Sequence, residues 1–350
     1  GWILYYLNGA LYILDKEKAE LRPELAESFP EMSEDKLVWT LRLRKDVKWH
    51  DGKPFTAHDV KYSYEMLMHP KVDSQRMKPY FEDIKSFDVV DDHTIRLTYK
   101  QPYYFALYSL YDFPIVPKHA FAHLKDPGDF NTDKFNDWPI GCGPYKMEKW
   151  DKGNEIVLVR NDDYYGRKPN LRKIVFKIIQ DDAAAVAALK RGDIDYMSVP
   201  PGAWEKGLKN DPDILANYQS FVLTRHFWTY IGWNMGKELF ADKRVRKALA
   251  RLVDVPDFIR TAYYGFGDPI TGPSYFRTEQ YNQNVKPLTY APSEAKKLLE
   301  EAGWVDSDDD GVLDKDGRKF EFEFLITTQN PYAEKLATTV QKRTEARVAE

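Results

Sequence analysis

Residues Leu21 to Met68, LRPELAESFPEMSEDKLVWTLRLRKDVKWHDGKPFTAHDVKYSYEMLM, carry the reading that decides the fold. Pro23 to Ser28 read Pro-Glu-Leu-Ala-Glu-Ser. From Trp39 to Arg44 the residues Trp39, Leu41 and Leu43 alternate with Thr40, Arg42 and Arg44. That is the period of a strand with one buried face. A turn follows at Trp49-His50-Asp51-Gly52, and then Pro54-Phe55-Thr56-Ala57 leads into Asp59-Val60. Thr56 with Asp59 three residues on resembles a capping box, which predicts a helix with Val60, Tyr64 and Leu67 on one face.

Working outward, the same period marks a second strand, where Ile95, Leu97 and Tyr99 oppose Thr94, Arg96, Thr98 and Lys100. Glu155 to Arg160 and Lys173 to Ile179 are more continuously apolar, as expected of strands covered on both faces. Near the carboxyl end, Phe320, Phe322 and Phe324 alternate with Glu321 and Glu323, which predicts another strand. Helices are punctuated by Asp181 before an alanine-rich run that stops at Gly192. Asp242 precedes another run, with Val245, Leu249 and Leu252 at helical spacing. Pro292 opens a third that a left-handed Gly303 would end. Strands and helices interleave without a repeat, so the fold class is α/β.

At 350 residues the chain is long enough for two or three domains with a substantial core. A composition 43% hydrophobic and 30% charged is that of a soluble globular protein. The formal net charge of -4 gives no basic field for nucleic acid or an anionic membrane. Aromatic residues make up 15%, with 23 Tyr and 9 Trp, a supply suited to a cleft that grips ligands through flat rings. Cys142 is the lone cysteine and can make no intrachain disulfide, which fits an oxidising compartment and the cytosol alike. The apolar start, Gly1 to Leu14, lacks a basic flank, and Asn8-Gly9 interrupts a run already shorter than the ~18–20 residues of a span. It reads as a buried helix of the first domain.

No catalytic set converges in the sequence. Seven histidines (50, 58, 69, 93, 119, 123 and 226) are scattered, with no His-Glu-x-x-His, no Gly-x-Ser-x-Gly and no cysteine pair. His50 and His58 flank a turn and read as scaffold; His119 and His123 share helical spacing but lack a third ligand. One metal candidate stands out. Asp306, Asp308, Asp310, Gly311 and Asp314 fit positions 1, 3, 5, 6 and 9 of a calcium loop, but position 12 is Gly317 rather than a bidentate carboxylate. The alternative is a solvated turn between helix and strand. No other cofactor is expected.

The ordered motifs of Leu21 to Met68 resemble the extracellular solute-binding proteins of the dipeptide and oligopeptide class, the capture subunits of ABC importers. Gly141-Cys142-Gly143-Pro144-Tyr145 is similar to that family's Gly-x-Gly-Pro-Tyr turn, with cysteine where a small polar residue is usual. Lys168-Pro169-Asn170-Leu171, Gly192-Asp193-Ile194-Asp195, Asp242 to Ala248 and Ala302-Gly303-Trp304 extend the resemblance over nearly the whole chain. It implies a periplasmic-binding-protein-like fold (type II, cluster C) of two lobes with an extra inserted domain. Residues 1–20 would start the first lobe, 21–139 form the inserted domain, 140–226 return to the first lobe, and 227–350 form a second lobe. That second lobe is expected to be truncated, and the family's opening strand to be missing.

The resemblance also implies a function: reversible capture of a small peptide by hinge closure, for delivery to a membrane ABC permease. It implies no catalysis, no nucleic acid, a monomer, and a periplasmic or cell-surface location. Trp228, Tyr230, Gly232 and Asn234 fall in a stretch that is similar to one running along the ligand cleft of relatives. As a strand, it would put Trp228, Tyr230 and Gly232 on one face and Trp233 on the other, in the core. Tyr108, Tyr111 and Asp112 would face the same cleft, and Asn8 and Gly9 lie where relatives approach the ligand from the first lobe. An oligosaccharide or a nickel complex is the alternative ligand within the fold. An envelope hydrolase and a calcium-stabilised structural protein are the alternatives from other classes.

Overall fold

The Leu21–Met68 stretch folds as strand, turn and capped helix in the computed structural model, which describes residues 3–15, 20–111, 113–224, 228–327 and 330–348, with side chains as far as residue 341. The chain divides into two compact units, Gly1–Ile179 and Gln180–Glu350.

In the first unit, α1 (Leu4–Leu7) precedes an antiparallel pair, β1 (Tyr12–Asp15) with β2 (Glu20–Pro23). Strands β3 (Glu31–Met32), β4 (Val38–Arg42), β5 (Ile84–Asp91) and β6 (Thr94–Tyr99) form an antiparallel sheet in the order β3-β4-β6-β5. Between β4 and β5 the chain makes α2 (Ala57–Met68), and α3 (Ala106–Tyr111) follows β6. A second antiparallel sheet runs β7 (Tyr145–Asp151), β8 (Glu155–Arg160), β9 (Lys173–Lys177). In the first sheet Trp39 lies opposite Leu97 and Leu41 opposite Ile95. Their side chains join Leu43, Trp49, Phe55, Val60, Leu67 and Phe81 in one core. Each large apolar side chain sealed there contributes roughly 1.5–3 kcal/mol.

The alternation expected at Trp39–Arg44 and Thr94–Lys100 is what the sheet uses. Two expectations need correction. Gly1 to Leu14 is not one buried helix. The helix is four residues long, Leu7 alone in it is buried, and Leu4, Tyr5 and Tyr6 are exposed. Asn8-Gly9 breaks it, and the chain continues as β1. Lys173 to Ile179 is not covered on both faces either. Strand β9 is the edge of its sheet among the described residues, with Lys173, Val175 and Lys177 exposed and Ile174 and Phe176 half-buried. Strand β8, in the middle, does bury Ile156, Val157 and Leu158 in succession.

The second unit is mainly helical. Its helices are α4 (Asp182–Lys190), α5 (Pro201–Lys206), α6 (Pro212–Asn217), α7 (Glu238–Ala241) and α8 (Lys243–Arg251), then α9 (Val255–Ala262), α10 (Pro292–Glu301) and α11 (Pro331–Val348). A short hairpin, β10 (Asp314–Lys315) with β11 (Arg318–Lys319), lies between α10 and α11. Asp181 caps α4 by accepting from the Ala184 N–H, and Asp242 caps α8 by accepting from Arg244. Helices α8 and α10 pack through Val245, Leu249, Ala295 and Leu299, with Phe240, Trp304 and Leu313 completing a core. Leu189, Leu208 and Ile214 centre a smaller one. The strand expected around Phe320–Phe324 forms ladder bonds only at Arg318–Lys319. Past the Phe320 N–H, which donates to the Leu313 carbonyl at 2.7 Å, the alternation survives without a ladder: Phe320, Phe322 and Phe324 are half-buried, Glu321 and Glu323 exposed.

Candidate ligand-binding site

The motifs of the first unit converge on the loop Leu7–Ala10. The Leu7 carbonyl accepts the Gly143 N–H at 2.7 Å, and the Asn8 N–H closes α1 on Leu4 at 2.8 Å. A methyl group on Gly141 would lie 1.8 Å from the Leu7 carbonyl oxygen, so only glycine fits. Gly9 is hemmed in less severely, by side chains: an added Cβ would sit 2.9 Å from the Tyr165 hydroxyl and 3.0 Å from Cys142 Sγ. This explains why a small residue stands at 9 and two glycines flank position 142.

His50 ties the Trp-His-Asp-Gly turn to the same place. Its backbone N–H donates to the Gly141 carbonyl at 2.7 Å. Its ring accepts the Gly141 N–H at Nδ1 (3.1 Å) and lies 3.1 Å from the Gly143 carbonyl at Nε2. That geometry needs a neutral ring protonated on Nε2, and burial pushes its pKa down to about 4. The scaffold role expected of His50 is thus given a form. Asp59, buried, accepts from Trp49 Nε1 (3.3 Å), the Thr56 N–H (2.9 Å) and the Lys118 N–H (2.8 Å). One carboxylate therefore joins turn, helix cap and the Val116-Pro117-Lys118 segment. His119 and His123 do not converge on a metal; each lies 2.7 Å from its own carboxylate, Asp51 and Asp133.

Two of the remaining candidates of this unit, Tyr108 and Tyr111, lie on α3. Tyr108 is exposed and packs at a tilt on Phe105 (centroids 5.8 Å apart), which in turn meets Tyr104 edge-on at 5.5 Å. Tyr111 is half-buried against the core, so packing claims much of its ring. Asp112 lies outside the described residues.

In the second unit, Trp228 and Tyr230 stack with centroids 4.6 Å apart and an interplanar angle of 29°. Both are exposed, as are Gly232 and Asn234. Trp233 instead packs on Phe240 and Phe322, the core position expected of it. Residues 228–234 are not a strand, however: they form no ladder with any described residue. Stacking of alternate rings, not sheet geometry, holds Trp228 beside Tyr230. Asn234 accepts the Gly236 N–H at 3.0 Å, which ends the segment in a turn.

The Asp-rich loop brings carboxylate oxygens of Asp306, Asp308 and Asp314 within 4.8 Å of one another. Asp306 accepts the Asp310 and Gly311 N–H groups, and Asp314 accepts from Ser307. The Lys319 ammonium sits 2.8 Å from both Asp308 and Asp310, a resident positive charge that competes with any cation for these carboxylates. Its hydrogen bond holds the Asp310 carboxyl below the usual range.

Sequence reasoning missed three residues behind the Leu7–Ala10 loop: Glu24, Tyr164 and Tyr165. The Ala10 N–H donates to Glu24 Oε2 at 2.9 Å, and the Tyr164 hydroxyl lies 3.4 Å from Oε1. Burial pushes the Cys142 thiol and the Tyr164 phenol each up to about 12. Glu24 sits within the quoted Pro-Glu-Leu-Ala-Glu-Ser run, but no local pattern announces a carboxylate turned inward at the end of a strand.

The chain belongs to the bacterial extracellular solute-binding proteins, family 5, whose profile for the middle region matches residues 20–346. It is 34% identical over 340 residues to the oligopeptide-binding protein AppA of Bacillus subtilis, covering 93% of this chain and 60% of that protein. A solved structure of AppA in complex with a nonapeptide superposes with a TM-score of 0.81 at 31% identity, covering 99% of this chain and 67% of that one. NikZ of Campylobacter jejuni, in complex with Ni(L-His), gives a TM-score of 0.84 at 31% identity, covering 98% and 67%. The chain thus spans 60% of the length of its curated relative AppA.

Proposed function

We propose that this protein captures peptides outside the cytoplasmic membrane and delivers them, chemically unchanged, to a membrane ABC permease. The observation that carries this reading is the 34% identity to an oligopeptide-binding protein over 340 residues. The geometry supports it. An extended peptide offers backbone donors and acceptors whatever its sequence, and stacked exposed rings such as Trp228 and Tyr230 grip side chains without selecting one. The Asn8–Gly9 loop is held in a fixed frame by the Leu7–Gly143 and Ala10–Glu24 hydrogen bonds. Closure of two lobes on the ligand, a monomeric state and a periplasmic or surface location complete the proposal. No acid–base pair is asked to act.

A second reading is favoured by the TM-score of 0.84 to NikZ: a nickel–amino-acid chelate as ligand. Titration calorimetry of the purified protein with trialanine, a mixed-sequence nonapeptide and nickel–histidine separates the two. Saturable binding of a peptide, recovered intact by mass spectrometry, is expected. Exclusive response to the nickel chelate would replace the first reading by the second, and cleaved peptide would defeat both. For the aspartate loop we propose a structural turn neutralised by Lys319, with calcium as the alternative occupant.

A further inference from the structure

The Glu24 carboxyl is a half-buried acid that the capture reading leaves unused. It sits at the end of β2 directly behind the Asn8–Gly9 loop. Each oxygen has its own donor, Oε2 the Ala10 N–H at 2.9 Å and Oε1 the Tyr164 hydroxyl at 3.4 Å, which spans 140 residues of chain. The Ala10 carbonyl in turn accepts the Leu25 N–H at 3.0 Å, so residues 10 and 24–25 are joined twice. The groups facing this carboxyl are Tyr164 and Tyr165 from the turn after β8, Cys142 from the glycine turn, and Arg22 from β2. Arg44, the next cation outward, lies over the Tyr165 ring at 5.2 Å and is paired with Asp46. The Tyr165 hydroxyl, against Gly9, makes no hydrogen bond of normal geometry among the described residues.

We propose that Glu24 is a positioning residue: as a carboxylate it holds the Ala10 N–H and fixes the Asn8–Gly9 loop for ligand, and its protonation slackens capture in mild acid. This rests on the reading that the loop meets the ligand. Bonds to an ionised acceptor are roughly twice as strong as neutral ones, so the loop is held best when Glu24 carries charge. Once protonated, one oxygen becomes a donor and must reverse its bond to Tyr164, leaving Ala10 with a neutral acceptor. Burial raises the Glu24 pKa above the ordinary carboxylate value, which brings the change nearer to neutral pH.

The sign for stability runs opposite to the sign for binding. A raised native pKa means that Glu24 favours folding below its unfolded pKa and loses that contribution as pH rises through the native value. A Glu24→Gln protein should therefore melt higher than wild type near pH 7.5 and equally near pH 4. In binding, the same variant should take up trialanine or a nonapeptide about fivefold more weakly near pH 7.5. Wild-type affinity should fall to the variant's level in acid, while the variant's stays flat. Tyr164→Phe, which removes a donor to the carboxylate, should move the wild-type midpoint to higher pH.

Higher stability with weaker capture is a combination that a merely structural carboxylate does not produce. Equal affinities for wild type and Glu24→Gln at both pH values would overturn the proposal. Hydrogen exchange over residues 8–10 near pH 7.5 reads the loop without any ligand: faster exchange in Glu24→Gln supports positioning, and unchanged exchange overturns it. Faster exchange in a protein that binds neither peptide would uphold Glu24 and defeat the peptide reading separately.

Discussion

The two units treat the same kind of sequence differently. In the first, period-two stretches become strands whose backbone groups are paired and whose apolar faces are sealed, as Trp39, Leu41, Ile95 and Leu97 show. In the second, residues 231–234 and 321–327 keep the alternation but find no ladder partner among the described residues. Val222 is 74% and Leu325 97% exposed there. Alternation is thus a statement about which side chains face in, not about whether a neighbour supplies hydrogen bonds. A strand needs both.

The comparison predicts that substitutions in the first unit cost far more than matched ones in the second. Gly141→Ala would drive a methyl into the Leu7 carbonyl and should cost about 4 kcal/mol or more in urea unfolding. An unchanged midpoint would mean that the interlock is not as tight as its distances.

The second effect is pH-dependent. His50 has a native pKa of about 4 against an unfolded value of 6.5. A depressed pKa in a base contributes stability above the unfolded value, lost as pH falls through the native one. Between those two values the unfolded chain takes up a proton that the native chain refuses, removing about 3 kcal/mol at most. His50→Gln should flatten the unfolding midpoint across that window. A wild-type midpoint that does not move there would refute the neutral, locked ring.

Third, the two helix-start aspartates can be compared directly. Asp59→Ala orphans the Trp49, Thr56 and Lys118 donors inside the core and should cost about 2–3 kcal/mol. Asp242→Ala in the second unit loses a surface cap and should cost about 1 kcal/mol. Equal costs would erase the contrast. Smaller still, Lys319→Met should lower the melting temperature slightly and make it rise on adding calcium, because Asp308 and Asp310 lose their counter-charge. No response to calcium in that variant would end the calcium alternative. Least of all, Leu325→Lys should change stability by no more than about 0.5 kcal/mol, since nothing covers the side chain.

What could be read from the sequence divides along the same line. Local signals transferred well: the Thr56/Asp59 box, the Asp181 and Asp242 caps, the helix stop at Gly192, the left-handed Gly303, the inward Trp39 and Leu41. Each depends on residues a few positions apart. The Asn8–Gly9 break was also visible, but what it served was not, because Gly9 is small on account of Tyr165 and Cys142, far along the chain. Glu24 escaped notice for the same reason, since only Tyr164, 140 residues on, shows which way its carboxyl turns. Strand pairing failed at Phe320–Phe324 because periodicity carries no information about a partner. Among the candidate site residues, Trp228 and Tyr230 were found as neighbours, but by ring stacking and not through a sheet.

The glycine interlock also sets a timetable. His50 and Gly143 meet across 93 residues, and the Leu7 carbonyl waits for the amide of that same glycine. Contacts so distant in sequence are slow to form, and on a ribosome they cannot form before the later partner has emerged. The amino-terminal loop therefore stays unlatched at least until Gly143 has emerged, by which point every strand of the β3 to β6 sheet is available to pair. The latch thus joins the start of the first unit to its middle, and β7 to β9 follow it along the chain.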